Sequence, residues 1–186
     1  VLDVTLLRVL CLVAVALPLR APAQAVDYDK SEIGFVSRQM NVPVEGRFRK
    51  FTAQVRFDPR NLAAARAEIE VDLGSIETGS EEADTEVRKK GWFNLVAFPR
   101  ARFVSTGVRA LGADRFEAKG LLSIKGATRD ITAPFSVKRT DESVVYEGGF
   151  TLLRLQFNIG EGIWSDTETV ADEVQVRFRF VQSAKP

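Results

Sequence analysis

Along much of the chain apolar and polar residues alternate with a period of two. Ile69, Val71 and Leu73 are interleaved with Glu68, Glu70 and Asp72; Phe51, Ala53, Val55 and Phe57 with Thr52, Gln54 and Arg56. Near the end of the chain Val174, Val176, Phe178 and Phe180 alternate with Gln175, Arg177 and Arg179. A period of two returns every second side chain to the same face, which marks a strand with one wet side. The same beat runs through residues 116–124, 131–137 and 144–152, and shorter strands fit residues 33–37 and 102–108. About eight strands result, joined mostly by short turns such as Leu111-Gly112-Ala113-Asp114. About eight antiparallel strands that share one apolar face close into a barrel that holds either side chains or one small ligand. The expected fold class is therefore all-β, an antiparallel barrel.

One stretch departs from the strand rhythm. Ser80 is placed to cap a helix whose first turn carries Glu81, Glu82 and Asp84 and whose last carries Arg88, Lys89 and Lys90, before Gly91 ends it. Acid first and base last is the order that the helix dipole favours. These carboxylates lack the spaced oxygen ligands and turn glycine of a calcium loop.

The first 25 residues differ in kind from the rest. An apolar run from Val9 to Leu17 contains Cys11, follows Arg8, and is broken by Pro18 before Ala23-Gln24-Ala25. This is the pattern of a secretory signal peptide, and the run is about half the ~20 residues of a spanning helix. The expectation is a cleaved segment 1–25 and a single exported domain 26–186, without stable membrane insertion. Setting aside Arg8, Arg20 and Asp3 takes 26 basic and 25 acidic residues to 24 of each, so no net field attracts nucleic acid. No histidine occurs anywhere, and the sole cysteine lies in the N-terminal run. Disulfides, the usual nitrogen–sulfur zinc sites, histidine-ligated haem and the Ser-His or Cys-His nucleophiles are thereby closed off. No metal or cofactor is expected.

Aromatic usage is lopsided, with 13 Phe against 2 Tyr and 2 Trp, and most Phe fall on the apolar phase of strands. Ala53, Ala118, Gly120, Ala133 and Gly148 share that phase, so small residues leave room on the inner face. Pattern alone fits a packed core and a tunnel equally.

Particular residues then carry a resemblance. Gly46 and Phe48, Phe57-Asp58-Pro59, Ser75-Ile76-Glu77-Thr78-Gly79, Trp92-Phe93, Pro99 and Phe103 resemble the first half of the YceI proteins. Gly120, Leu122, Ile124, Gly126 and Thr128 resemble its Gly-x-Leu-x-Ile-x-Gly-x-Thr stretch, and Arg154, Phe157 and residues 172–176 its last strands. The resemblance implies a lipocalin-like periplasmic barrel that encloses the chain of a polyisoprenoid, such as a quinone (ubiquinone) or a polyprenyl phosphate, without catalytic chemistry. It is also compatible with a homodimer, although no strand shows a second apolar face that would demand one. Two stretches depart from the family pattern. Asp84-Thr85-Glu86-Val87 stands where Asp-x-His-Leu is usual, and Arg154-Leu155-Gln156-Phe157-Asn158 stands where Arg-x-Asp-Phe-Gly is usual.

Strand phase assigns the tunnel lining to Phe35, Phe48, Phe51, Val55, Phe57, Ile69, Val71 and Ile76, then Trp92, Phe93, Phe103, Leu122, Ile124, Phe135, Phe150 and Phe178. Arg154 closes an apolar strand; its planar guanidinium either grips a phosphate or quinone oxygen at the tunnel mouth or pairs with a carboxylate to lock the barrel end. Arg38 is the second head-group candidate. Three rival readings are kept: an enzyme acting on a prenyl lipid through Asp84, Glu86 or Arg154; a barrel that serves as a scaffold for protein contacts; and an outer-membrane barrel, which also alternates through short strands.

Overall fold

The structure is a computed structural model and describes residues 25–184; the signal-peptide expectation for residues 1–25 falls almost wholly outside the described residues. Ten strands follow one another: β1 (Glu32–Gln39), β2 (Val42–Phe48), β3 (Phe51–Arg56), β4 (Arg66–Asp72), β5 (Ile76–Glu77), β6 (Arg100–Gly112), β7 (Arg115–Ile124), β8 (Ala127–Arg139), β9 (Ser143–Leu153) and β10 (Glu173–Ser183). One helix, α1 (Glu81–Val87), lies between β5 and β6. All pairings are antiparallel, in the order β3-β4-β6-β7-β8-β9-β10-β1-β2-β5. The all-β, barrel-like fold is the one expected, with two strands more.

Those two strands are the ones that period counting misses. β2 carries Pro43 and Gly46, both strand breakers in isolation, and β5 is two residues long. β2 and β3 are separated only by Arg49-Lys50 yet lie towards opposite ends of the sheet order, with only the two-residue β5 beyond β2, so the chain itself carries the wall across the break in the ladder. Backbone bonds brace this corner: Arg49 N–H donates to Ser75 O (3.1 Å) and Asp72 N–H to Lys50 O (3.0 Å). Further along, the free edge of β3 is covered by side chains. The Ala53 N–H donates to the Tyr28 hydroxyl (3.3 Å), and the Gln182 amide donates to Val55 O (3.0 Å), which satisfies backbone groups that would otherwise be open.

Turn chemistry follows the expected places. Met40-Asn41 and Ala113-Asp114 both have positive φ and make two-residue hairpin turns. A register shift between Ser105 and Gly107 changes the inward phase of β6, so that Ala101 and Phe103 before it and Val108 after it all face inside. Outside, charged pairs tie neighbouring strands: Glu68 with Arg102, Glu70 with Arg100, and Glu147 with Arg179. A charged outer face and an apolar inner face are the reverse of a lipid-facing barrel, and among the described residues no helix is long and apolar enough to cross a membrane.

The helix is shorter than expected. Ser80 Oγ does accept from Ala83 N–H (3.4 Å), but α1 ends at Val87, and Arg88, Lys89 and Lys90 lie in the following turn rather than in its last turn. Asp84 is engaged elsewhere: its Oδ1 accepts the Thr78 N–H (2.7 Å) and ties the helix to the strand before it.

Candidate functional site: an apolar cavity inside the sheet

The inner faces of the strands enclose a cavity of about 810 Å³. From β1 come Ile33, Phe35, Ser37 and Gln39; from β2, Val44 and Phe48; Val55 and Phe57 follow from β3 and its end. Ile69 and Val71 of β4, Ile76 of β5, Phe103 of β6, Leu122 and Ile124 of β7, Phe135 of β8, Phe150 of β9 and Phe178 of β10 continue the wall. Trp92 and Phe93 enter from the turn after α1. Every residue that strand phase assigned to the lining is thus on it except Phe51. That ring stands outside, against Tyr28 (5.5 Å between centroids) and Phe180 (5.8 Å).

The glycines on the inner face behave differently from expectation: they are seats for rings rather than gaps. A Cβ on Gly46 would lie 2.2 Å from Phe35 Cζ, one on Gly120 2.4 Å from Phe103 Cζ, and one on Gly148 2.7 Å from Phe178 Cζ. Each ring brings its tip close against the backbone of the neighbouring strand and fills the place that a side chain there would take. Room in the cavity comes instead from Ala118 and Ala133, which face each other across β7 and β8 and both line it. Ala53, the remaining small residue, is buried in the wall outside the lining.

The two ends differ. At one, Phe57 meets Phe116 (4.8 Å), Phe135 (5.9 Å) and Tyr146 (5.8 Å) edge to face, a ring cluster that fills the floor. At the other, polar groups enter the lining: Ser37, Gln39, Thr78, Ser80, Glu82 and Glu86. This end is the mouth. It is partly covered by the irregular segment between β9 and β10, from which Ile159, Trp164 and Val170 face the cavity. No period runs through that segment, so the sequence pattern did not single them out; the scarcity of tryptophan was the one available signal, and it points to Trp164 as well as Trp92.

Arg154 holds this covering segment in place. It is 2 % exposed and donates from Nε to Ala171 O (3.0 Å), from Nη1 to Ile159 O (2.8 Å) and Gly160 O (3.2 Å), and from Nη2 to Val170 O (2.6 Å). Carbonyls, not a carboxylate, are its partners, which corrects the ion-pair expectation. Asp172 accepts the Leu155 N–H instead (2.9 Å) and acts on the guanidinium only through its field. Burial lowers the Arg154 pKa from the ordinary arginine value, with Asp172 opposing. The guanidinium also stands 5.8 Å from the Trp92 ring centroid, and Trp92 in turn packs on Trp164 (5.6 Å). Arg154 borders the cavity with one Nη2–H outside these contacts. Arg38 does not reach it: Ser37 and Gln39 face in, so Arg38 between them faces out, where Nη1 donates to Asn41 Oδ1 (3.4 Å).

Two of the departing residues, Asn158 and Glu86, have local explanations, and nothing in the structure explains Gln156. Asn158 sits at φ 55°, ψ 31°, the left-handed conformation where Gly is preferred and Asn is the best-tolerated substitute. Its carbonyl accepts from Lys125 Nζ (2.5 Å), and that buried ammonium also meets Glu161 (2.7 Å). Glu86 stands at the mouth and pairs with Lys89 (2.5 Å). Asp84 and Glu86 are therefore not brought together as an acid–base pair: one caps backbone, the other borders solvent. No cluster of metal-ligating side chains occurs among the described residues.

A single antiparallel sheet curled round a largely apolar cavity, with polar side chains at its mouth and Arg56 and Arg66 at the opposite end, defines an all-β, lipocalin-like barrel. More specifically, residues 25–182 match the model of the YceI-like domain, and the chain belongs to the YceI family. A UPF0312 protein of Azotobacter vinelandii is 31 % identical over 136 residues, which cover 70 % of this chain and 69 % of that one; further UPF0312 relatives match over about half their own length. Among solved structures, Burkholderia cenocepacia BcnA is 39 % identical, with a TM-score of 0.82 over 84 % of this chain and 99 % of that one. A polyisoprenoid binding domain from Saccharophagus degradans shares the fold at 16 % identity, with a TM-score of 0.69 over 87 % of this chain and 98 % of that one.

Proposed function

We propose that this protein is a non-catalytic carrier or store for an isoprenoid lipid, whose hydrocarbon chain lies in the cavity and whose head group lies at the mouth. The observation that carries this reading is the cavity itself: about 810 Å³, walled by aromatic and aliphatic side chains. At about 25 cal/mol per Å² of apolar surface removed from water, a chain burying a few hundred Å² gains on the order of 10 kcal/mol before ordering costs. No covalent step is needed. The Saccharophagus neighbour, described as polyisoprenoid binding, supports the same class of ligand.

At the mouth the Glu82 and Glu86 carboxylates border the lining, Arg38 faces away, and the Arg154 donors are spent largely on carbonyls. Of the other lining arginines, Arg102 pairs with Glu68 and Arg56 and Arg66 stand at the floor end, so the balance at the mouth favours an uncharged quinone such as ubiquinone over a polyprenyl phosphate. The N-terminal segment is read as an export signal, which would place the carrier in the periplasm.

The test is to purify the protein gently, extract it with organic solvent and identify the extract by mass spectrometry. A stoichiometric isoprenoid quinone supports the reading in full, and a prenyl phosphate supports the carrier but overturns the head-group preference. If nothing co-purifies and added isoprenoids change neither tryptophan fluorescence nor Tm, the carrier reading falls and the barrel is to be treated as a scaffold for protein contacts.

A further inference from the structure

Among the described residues the four most exposed large apolar side chains are Val96 (100 %), Ile163 (83 %), Met40 (70 %) and Val42 (62 %). All four lie on segments that frame the mouth. Met40 and Val42 are at the β1–β2 hairpin, whose Gln39 and Val44 line the cavity. Val96 is on the turn after α1, whose Trp92 and Phe93 line it, and Ile163 is beside Trp164, which lines it too. These segments are bound to one another and to the barrel end: Met40 N–H donates to Thr169 O (2.8 Å), and Gly160 and Glu161 N–H donate to Gly91 O (2.9 and 2.7 Å). Each therefore shows one side chain to the cavity and a near neighbour, also apolar, to water. The other exposed apolar residues, Tyr28, Leu111 and Leu121, are half-covered (42–48 %) and lie away from the mouth.

Folding does not account for this. Met40 occupies φ 46° in a two-residue turn, a position where Asn or Gly is less strained, and a solvated thioether returns nothing for the strain. The charges around these tips are of both signs: Arg88, Lys89 and Lys90 before the Val96 turn, Glu161, Asp166 and Glu168 around Ile163. A rim of apolar tips set among mixed charges matches a zwitterionic lipid head-group layer, with tips reaching the acyl boundary and neither sign of surface charge required.

We propose that the mouth docks reversibly on a lipid bilayer surface through Met40, Val42, Val96 and Ile163, so that cargo passes between bilayer and cavity without crossing water. The proposal rests on the cavity being a lipid site, and the two readings fail separately. The experiment is vesicle flotation of protein purified from cells expressing the full chain, with phosphatidylcholine vesicles and with phosphatidylcholine–phosphatidylglycerol vesicles. The wild type is compared with the triple variant Met40→Asn, Val96→Ser, Ile163→Ser. Both proteins carry the same N terminus, so their difference reads the rim alone. In parallel, binding of dansyl-labelled farnesol in vesicle-free solution reads the cavity, and Tm reads the fold.

The expected result is that wild type floats with both vesicle types to a similar extent and with little dependence on salt. The variant partitions about tenfold less or weaker still, with farnesol binding unchanged and Tm equal or higher, since asparagine relieves the positive-φ strain at position 40. Wild type that fails to float with either vesicle, or a variant that floats equally, overturns the proposal. So does sedimentation showing that the substitutions convert a dimer to a monomer, because the rim would then join two copies of the chain. Flotation lost in the variant, with no farnesol binding in either protein, upholds the docking face and overturns the cavity reading.

Discussion

Gly46→Ala tests whether the inner-face glycines are ring seats. Gly46 does not have a left-handed φ, and in open surroundings such a change stabilises by about 0.4–1 kcal/mol, because alanine has fewer unfolded conformations to lose. The surroundings are not open. The added Cβ would lie 2.2 Å and 2.7 Å from Cζ and Cε1 of Phe35, and 2.7 Å from the Glu77 carbonyl oxygen. Carbon atoms settle at about 3.5–4.0 Å, so the ring must move by more than about 1 Å, and the space next to it is the cavity. The carbonyl belongs to β5, paired with β2, and has less freedom. Overpacking of this kind costs about 1–3 kcal/mol and outweighs the entropic gain, for a net loss of about 1–2 kcal/mol.

Urea unfolding followed by far-UV circular dichroism, on Gly46→Ala, Phe35→Leu and the double variant, measures this. Leucine at position 35 removes the ring edge that meets the new Cβ. The double variant should therefore be more stable than the sum of the single changes by about 1 kcal/mol. Gly46→Ala alone should also weaken farnesol binding, since the displaced ring takes up cavity, and Phe35→Leu should restore it. A stabilising Gly46→Ala, or single effects that simply add, would refute the reasoning.

Three further outcomes are expected. Ala133→Trp places a bulky ring in the middle of the cavity and should abolish binding of dansyl-labelled farnesol in a fluorescence titration while the barrel circular dichroism spectrum is kept. Arg154→Lys should lower stability by at least about 2 kcal/mol in urea, because one ammonium cannot reach the carbonyls of Ile159, Gly160, Val170 and Ala171 together and leaves buried acceptors unpaired; equal stability would count against the fastening role. The Glu77 carboxyl is held below the usual range by Arg49 first and Arg47 next. That stabilisation is present above the unfolded carboxylate pKa and disappears as pH falls through the lower folded value. Hence the stability gap between wild type and Arg47→Gln/Arg49→Gln, read as urea midpoints, should narrow between neutral pH and about pH 3.

The alternation of apolar and polar residues was sufficient for the strands that run the length of the barrel, because a half-buried strand writes its inner face into every second position. It named the wall from Phe35 to Phe178, and it also included Phe51. That residue has the right phase, yet it sits where β3 becomes a free edge covered by Tyr28 and Phe180. Phase is local; which part of a face looks into a cavity depends on the curl of the whole sheet. For the same reason β2 and β5 were not seen, the first carrying a proline and a ring seat and the second too short to show a period.

What only the tertiary structure decided lies at the mouth. The sequence put Arg154 at a strand end and left open whether it met a ligand or a carboxylate; the fold brings four backbone carbonyls to it, all from a segment without any repeating pattern. The glycines show the same division. Sequence alone determined that Gly120 and Gly148 are small and face inward, while Gly46 lies on the unforeseen β2; whether small means empty or occupied depends on which ring the register sets opposite. There the register placed Phe35, Phe103 and Phe178, and the open volume was left to Ala118 and Ala133, because a methyl group fills the space at the wall without a ring laid over it.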